Sequence, residues 1–172
     1  MGTDTAGGGE TEAHRRPLPP VLTSRSGFLL SVVGRISRNL TERALADLSI
    51  KPHHYGILAI LDAEGPAPQH SVGQQLRIDK SSMTVFVDHL EALGLVERRR
   101  NPSNRRAYEL TLTDAGRATF ARAGSLIEAV EEAVLSGLGA PERSQLHGLL
   151  SRLSSRLLSG SGAATARPWE SS

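Results

Sequence analysis

A mainly α-helical fold carrying one short β-hairpin is predicted by three features of the sequence. Apolar residues recur at helical spacing through most of the chain, and Asp79 precedes a helix with one small, polar face. A turn-forming Asn101-Pro102-Ser103-Asn104 is flanked by alternating, arginine-rich segments. Together these describe a winged helix-turn-helix with a two-stranded β-wing, bracketed by long terminal helices.

The 172 residues, 38% of them hydrophobic, suffice for one core of ordinary size. Residues 1–20 and 159–172 lack an apolar period and are expected to be disordered tails. Apolar stretches such as Ile57 to Leu61 fall far below the roughly 18 residues needed to cross a bilayer. The N-terminus has no basic segment followed by an apolar run, so no membrane association and a cytoplasmic location are expected. The absence of cysteine excludes disulfides, thiolate metal sites, a cysteine nucleophile and a thiol redox switch.

From Leu22 to Leu48, Phe28, Val32, Ile36 and Leu40 recur every fourth position beside Leu29 and Val33, which predicts a long amphipathic helix. Pro52 suits the first turn of a second helix, where its missing N–H costs nothing. Tyr55, Leu58 and Leu61 give that helix a buried stripe until about Ala63, before Gly65-Pro66. Ser71 is expected to cap a short third helix through Val72 and Leu76, and Asp79 to cap a fourth. In the fourth, Met83, Phe86, Val87 and Leu90 share one face, while Ser81, Ser82, Thr84, Val85 and Asp88 lie on the other.

Leu95 to Arg100 and Arg105 to Leu112 then form a hairpin around a type I turn, with Tyr108, Leu110 and Leu112 facing inward. Thr113 is expected to cap a helix whose apolar residues include Ala118, Leu126, Ile127, Val130 and Val134, ending near Gly139. A last helix from Pro141 repeats Leu146, Leu149, Leu150, Leu153 and Leu157.

Net charge of +2 decides little, but its distribution is informative: Arg98, Arg99, Arg100, Arg105 and Arg106 against Glu97 leave a local excess of four positive charges. Such a cluster alone is more often a solvated face. Set after a helix-turn-helix, it becomes a DNA-binding arrangement. A helix with short N-terminal side chains can approach base edges in the major groove, while arginines at a hairpin tip hold phosphates or enter the adjacent minor groove.

The stretch Ser71-Val72-Gly73-Gln74-Gln75-Leu76-Arg77-Ile78-Asp79-Lys80-Ser81-Ser82-Met83-Thr84, followed by Leu90-Glu91-Ala92-Leu93-Gly94-Leu95-Val96-Glu97-Arg98, resembles the recognition segment of the multiple-antibiotic-resistance regulator (MarR) family. Asn101-Pro102-Ser103-Asn104-Arg105-Arg106 and Leu112-Thr113-Asp114-Ala115-Gly116 resemble its wing and the segment that follows. The likeness extends as architecture over about residues 22–158, with specific motifs in 71–116.

The resemblance implies a MarR-type domain over 21–158, with a DNA-binding lobe at about 52–113 and terminal helices at about 21–48 and 114–158 forming a dimerisation region. It implies a sequence-specific regulator, most often a repressor, that binds a pseudopalindromic site on double-stranded DNA as a homodimer and, as is often the case in the family, is released by a small molecule. Ser81, Ser82, Thr84 and Val85 would face bases; Arg99, Arg100, Asn104, Arg105 and Arg106 would serve the wing. Leu146, Leu149, Leu150 and Leu153 would join two copies. Arg35, His53 and His54 are candidates to meet an aromatic or anionic effector.

Three positions depart from the family. Asn104 stands where an acid is common, which replaces an ion pair to the wing arginine by a neutral hydrogen bond. Val85 stands where a basic residue is frequent, leaving only an apolar contact such as a thymine methyl. Arg77 occupies a turn position that is often Gly. A left-handed backbone there would cost about 1 kcal/mol or more, so a right-handed turn is expected.

Two other classes have less support. A winged helix can serve as a protein-interaction module without operator-specific DNA binding, but the wing arginines argue against that. An enzyme would need a nucleophile elbow, phosphate loop, paired catalytic carboxylates or metal-ligand spacing, and none is present. His53, His54, His70, His89 and His147 include no pair at i, i+4, so neither a metal site nor a cofactor is expected.

Overall fold

The computed structural model describes residues 18–100 and 108–159. The expected tails lie outside these residues except at 18–20, where Pro20 already begins a helix, and at Ser159, which ends one. The chain divides into two compact units with the boundary between Leu126 and Ile127. Among the described residues no helix is long and apolar enough to cross a membrane.

The predicted first helix is interrupted. A single turn, α1 (Pro20–Thr23), precedes α2 (Ser26–Leu45), and a 3-10 turn at Ala46–Leu48 closes on Ser49 in the left-handed region. Helix α3 (Pro52–Glu64) starts at Pro52 as expected. A two-residue strand β1 (Ala67–Pro68) follows, then α4 (Gln69–Leu76), α5 (Lys80–Ala92), β2 (Val96–Arg100), β3 (Tyr108–Leu112), α6 (Asp114–Val134) and α7 (Ala140–Ser159). The sheet therefore has three strands in the order β1-β3-β2, all antiparallel, and not the two strands expected. Sequence pattern missed β1 because two residues carry no alternation, and Pro68 disguises an edge strand.

Several local expectations yield to backbone hydrogen bonding. Helix α4 begins at Gln69, so Ser71 lies inside its first turn and is not the cap. Arg77 is left-handed, with φ 54° and ψ 38°. At this position its N–H reaches the Gln74 carbonyl at 3.2 Å, and the Ile78 N–H reaches the Gly73 carbonyl at 2.9 Å. These two bonds satisfy carbonyls that the end of α4 would otherwise orphan, and they outweigh the steric cost. Gly94 does the same at the end of α5 with φ 69° and bonds from Gly94 N to Glu91 O and from Leu95 N to Leu90 O.

The core of the first unit joins Leu45, Ile50, Ile57, Leu58 and Leu61 to Val72, Met83, Val87, Leu90, Val96, Leu110 and Leu112, all buried. The apolar face expected of α5 is thus the one it buries. Tyr108 departs from its pattern: it is 54% exposed, and its ring carries the Arg100 guanidinium at 5.8 Å. Ala118 is likewise exposed, and α6 instead packs through Gly116 and Ala123, which project from its other side. Thr113 caps α6 as expected, its hydroxyl accepting from Gly116 N at 2.9 Å and donating to the Gly94 carbonyl at 2.8 Å.

A cluster of rings fixes α5 against α3. His53 stacks on Phe86 at 3.6 Å, and His54 stacks on His89 at 4.7 Å while meeting His53 and Phe86 edge-on. The Lys51 N–H donates to His54 Nδ1 at 3.1 Å, so that nitrogen is unprotonated, and His89 Nε2 donates to the Ser49 carbonyl at 2.8 Å. Burial, followed by the positive potential of His53, His89 and Lys51, lowers the His54 pKa to about 4. His53 is lowered by burial and Lys51, with Glu42 opposing.

In the second unit, the Arg143 guanidinium bonds Glu132 at 2.6 Å and the Leu138 carbonyl at 3.0 Å, linking α7 to α6. Glu142 accepts from Gly139 N at 2.7 Å at the start of α7.

Two outcomes follow from this packing. A Cβ on Gly116 would lie 2.1 Å from the Leu95 carbonyl oxygen and 2.7 Å from Leu112 Cδ1. Gly116→Ala should therefore cost about 1–3 kcal/mol in urea unfolding of the full chain, because backbone has to move. His54 binds a proton more readily unfolded than folded between its ordinary value of 6.5 and about 4, so its contribution to stability is complete above that window. It is lost as pH falls through it. The urea midpoint should drop between pH 6.5 and 5, and His54→Gln should flatten that segment of the profile.

Candidate nucleic-acid interface

Helix α5 presents its outward face on a well-defined N-terminus. Asp79 Oδ1 accepts from Ser82 N at 2.9 Å and from the Ser81 hydroxyl at 2.5 Å, so Asp79 is the expected cap. These hydroxyl and amide donors hold its carboxyl far below the usual carboxylate range. Beyond the cap, Lys80, Ser81, Thr84 and Val85 are exposed, and Val85 shows 63% of its surface. Ser82 is half-buried beside the cap. The predicted face is therefore assembled from Ser81, Thr84 and Val85, with Ser82 at its margin and Lys80 added.

Strand register separates arginines that are adjacent in sequence. Arg99 and Arg100 are exposed; Arg99 bonds Glu97 at 2.5 Å and stands opposite Glu109 in β3, and Arg100 lies over Tyr108. Arg98 shares a strand face with Arg100 but folds back onto α5. Its guanidinium reaches Asp88 at 2.7 Å, Glu91, and Gln69 Oε1 at 3.2 Å, while its backbone N–H donates to Glu91 Oε1 at 2.9 Å. The cationic cluster is accordingly not one outward surface: Arg98 is an internal tie between β2, α5 and the start of α4. Asn104, Arg105 and Arg106 lie outside the described residues.

Gln69 was not singled out by sequence. Its Nε2 donates to Thr84 Oγ1 at 3.2 Å, and the Thr84 hydroxyl donates in turn to the Lys80 carbonyl at 3.0 Å. A lone glutamine after a proline carries no pattern. The acids spaced three apart at Asp88 and Glu91 were the one hint that an arginine of the following strand would fold back on α5.

Of the effector candidates, Arg35 is exposed on α2, while His53 and His54 belong to the ring cluster on α3, where His54 is only 4% exposed. Among the described residues no group of three or more His, Cys, Asp or Glu side chains is arranged to hold a metal ion. The imidazoles of the cluster face other rings and backbone. Leu149, Leu150 and Leu153 are exposed on α7, and Leu146 is half-buried.

Residues 50–108 match the model of the MarR family. Over 129 residues the chain is 28% identical to the HTH-type transcriptional repressor Rv2887 of Mycobacterium tuberculosis, covering 75% of this chain and 93% of that one. Among solved structures it is similar to the transcriptional repressor CouR bound to a 23-mer DNA duplex, at 30% identity and a TM-score of 0.73, covering 81% of this chain and 99% of that one. It is also similar to CouR from Rhodococcus jostii RHA1 bound to p-coumaroyl-CoA, at 26% identity and a TM-score of 0.68, covering 78% and 95%. Matching the family model across α3, α4, α5 and β2, and a DNA-bound repressor over nearly its whole length, the chain belongs to the MarR family.

Proposed function

We propose that the protein is a transcriptional repressor that binds a pseudopalindromic operator as a homodimer, with half-sites about one turn, 10 bp, apart. The observation that carries this reading is the outward face of α5: short polar side chains at Ser81 and Thr84, bare Val85 and a cation at Lys80, on a helix capped by Asp79 and adjoining the exposed Arg99 and Arg100. Such a face admits base edges closely while the neighbouring strands engage phosphates. Arg105 and Arg106, which follow Arg99 and Arg100 in the sequence, are proposed to add phosphate or minor-groove contacts, with Asn104 steadying them. The DNA-bound CouR structure supports this use of the fold.

The homodimer is supported by apolar stripes on the terminal helices. Leu29, Leu30, Val33 and Ile36 on α2, and Leu149, Leu150, Leu153 and Leu157 on α7, are exposed. A second copy of the chain is the proposed cover. A small-molecule effector is supported by the p-coumaroyl-CoA complex of CouR; an aromatic, anionic ligand would suit the Arg35 guanidinium and the aromatic surroundings of His53 and His54.

Fluorescence anisotropy on operator and random duplexes across a salt series tests the DNA assignment. Arg105→Ala or Arg106→Ala should weaken binding to both duplexes and reduce the salt slope by roughly 0.9 for each phosphate no longer neutralised. Equal affinity of these variants, of Thr84→Ala and of the wild type would refute the surface. Light scattering tests the assembly: the wild type should scatter as a dimer at micromolar concentration. Leu149→Glu combined with Leu153→Glu should yield monomers with much weaker operator affinity, because linked half-sites need linked lobes. A wild-type chain at monomer mass would end the dimer proposal.

A further inference from the structure

The hydrogen bonds behind the exposed face of α5 form a chain whose direction is fixed from one end. A guanidinium can only donate, so the Gln69 oxygen must be the atom that faces Arg98, at 3.2 Å. This orients the Gln69 amide and places its NH2 against Thr84 Oγ1, at 3.2 Å. Thr84 must then accept from Gln69, and its own proton goes to the Lys80 carbonyl at 3.0 Å, an atom that can only accept. Asp88 and Glu91 hold Arg98 and so prevent the chain from reversing. With its proton and one lone pair occupied, the exposed Thr84 hydroxyl keeps a single lone pair for a partner.

We propose that Gln69 sets Thr84 as a hydrogen-bond acceptor, so that α5 selects a base pair presenting an exocyclic amino group, adenine N6 or cytosine N4, in the major groove. This rests on the reading that α5 enters that groove. Guanine O6 and N7 and thymine O4 are acceptors and cannot pair with a hydroxyl in this state. Gln69 touches no base in this arrangement and acts as a positioning residue through Thr84.

The test uses the full-length protein and the tightest-binding duplex selected from a random pool, with every base pair of each half-site varied in turn. One position should favour adenine or cytosine by roughly five- to tenfold, the range of a single base-edge hydrogen bond. That preference should vanish in Thr84→Val and persist in Thr84→Ser. Replacing the preferred adenine by purine, or cytosine by 2-pyrimidinone, removes only the amino group; it should cost the wild type the same factor and Thr84→Val almost nothing. Gln69→Ala, checked for an unchanged melting curve, should keep its affinity for random duplex while the preference falls below about twofold. If Gln69→Ala does not fold, the amino-group deletions on wild type and Thr84→Val still decide the polarity of the interaction. A Thr84-dependent preference for guanine or thymine, or no cost on deleting the amino group, overturns the inference and leaves a DNA-binding protein. So does a folded Gln69→Ala with full discrimination. Failure to enrich any sequence from the pool overturns the DNA-binding reading and the inference together.

Discussion

Arg98 is the point at which three elements of the first unit are held in register. It sits in β2, yet its guanidinium is bound by two acids of α5 and by the first residue of α4, and one of those acids also takes its backbone N–H. The Arg98 side chain is 27% exposed and that of Glu91 32%, so this pair is partly withdrawn from water, while Asp88 joins it from the surface at 59%. Deleting the cation would leave Asp88 and Glu91 three residues apart on one helix face with no shared counter-charge, which disfavours the helix and its packing on the strand alike. The outward geometry of α5 relative to the wing strands depends on this tie, because among the described residues no disulfide or metal cluster takes its place.

The remaining supports of α5 act at its other boundaries. Asp79 caps its N-terminus, the Gly94 turn closes its C-terminus, and the ring cluster grips its inner face from α3. Each restrains a different motion: the cap resists fraying, the turn fixes where β2 departs, and the stacked rings resist sliding along α3. A ligand acting near His53 would press on the last of these, whose rings run directly to Phe86 and His89 on α5.

What could be read from sequence was governed by period and local chemistry. The buried face of α5, the caps at Asp79 and Thr113 and the start of α3 at Pro52 all follow from rules confined to a few neighbouring residues, and each is found in place. Arg77 failed because steric preference was weighed without the two carbonyl bonds gained at the end of α4. Tyr108 failed because alternation gives the side of a strand but not where the core ends. Within the site, Ser81, Thr84 and Val85 were legible as a small exposed face. The difference between Arg98 and Arg99 was not, since it depends on which side of a sheet the odd and even residues fall. Gln69 was invisible because its partners lie 15 and 29 positions away.

The brevity of β1 and the proline at its end bear on how copies of this chain avoid pairing wrongly. In the order β1-β3-β2 both outer strands are open edges, and open edges invite pairing with another chain. One edge offers two residues, the second of which has no N–H to give. The other ends in the exposed Arg99 and Arg100, long charged side chains of the kind that blunt an open edge. Both edges of the sheet thus carry features that disfavour strand-by-strand pairing with another copy, one through its brevity and proline and the other through exposed charge.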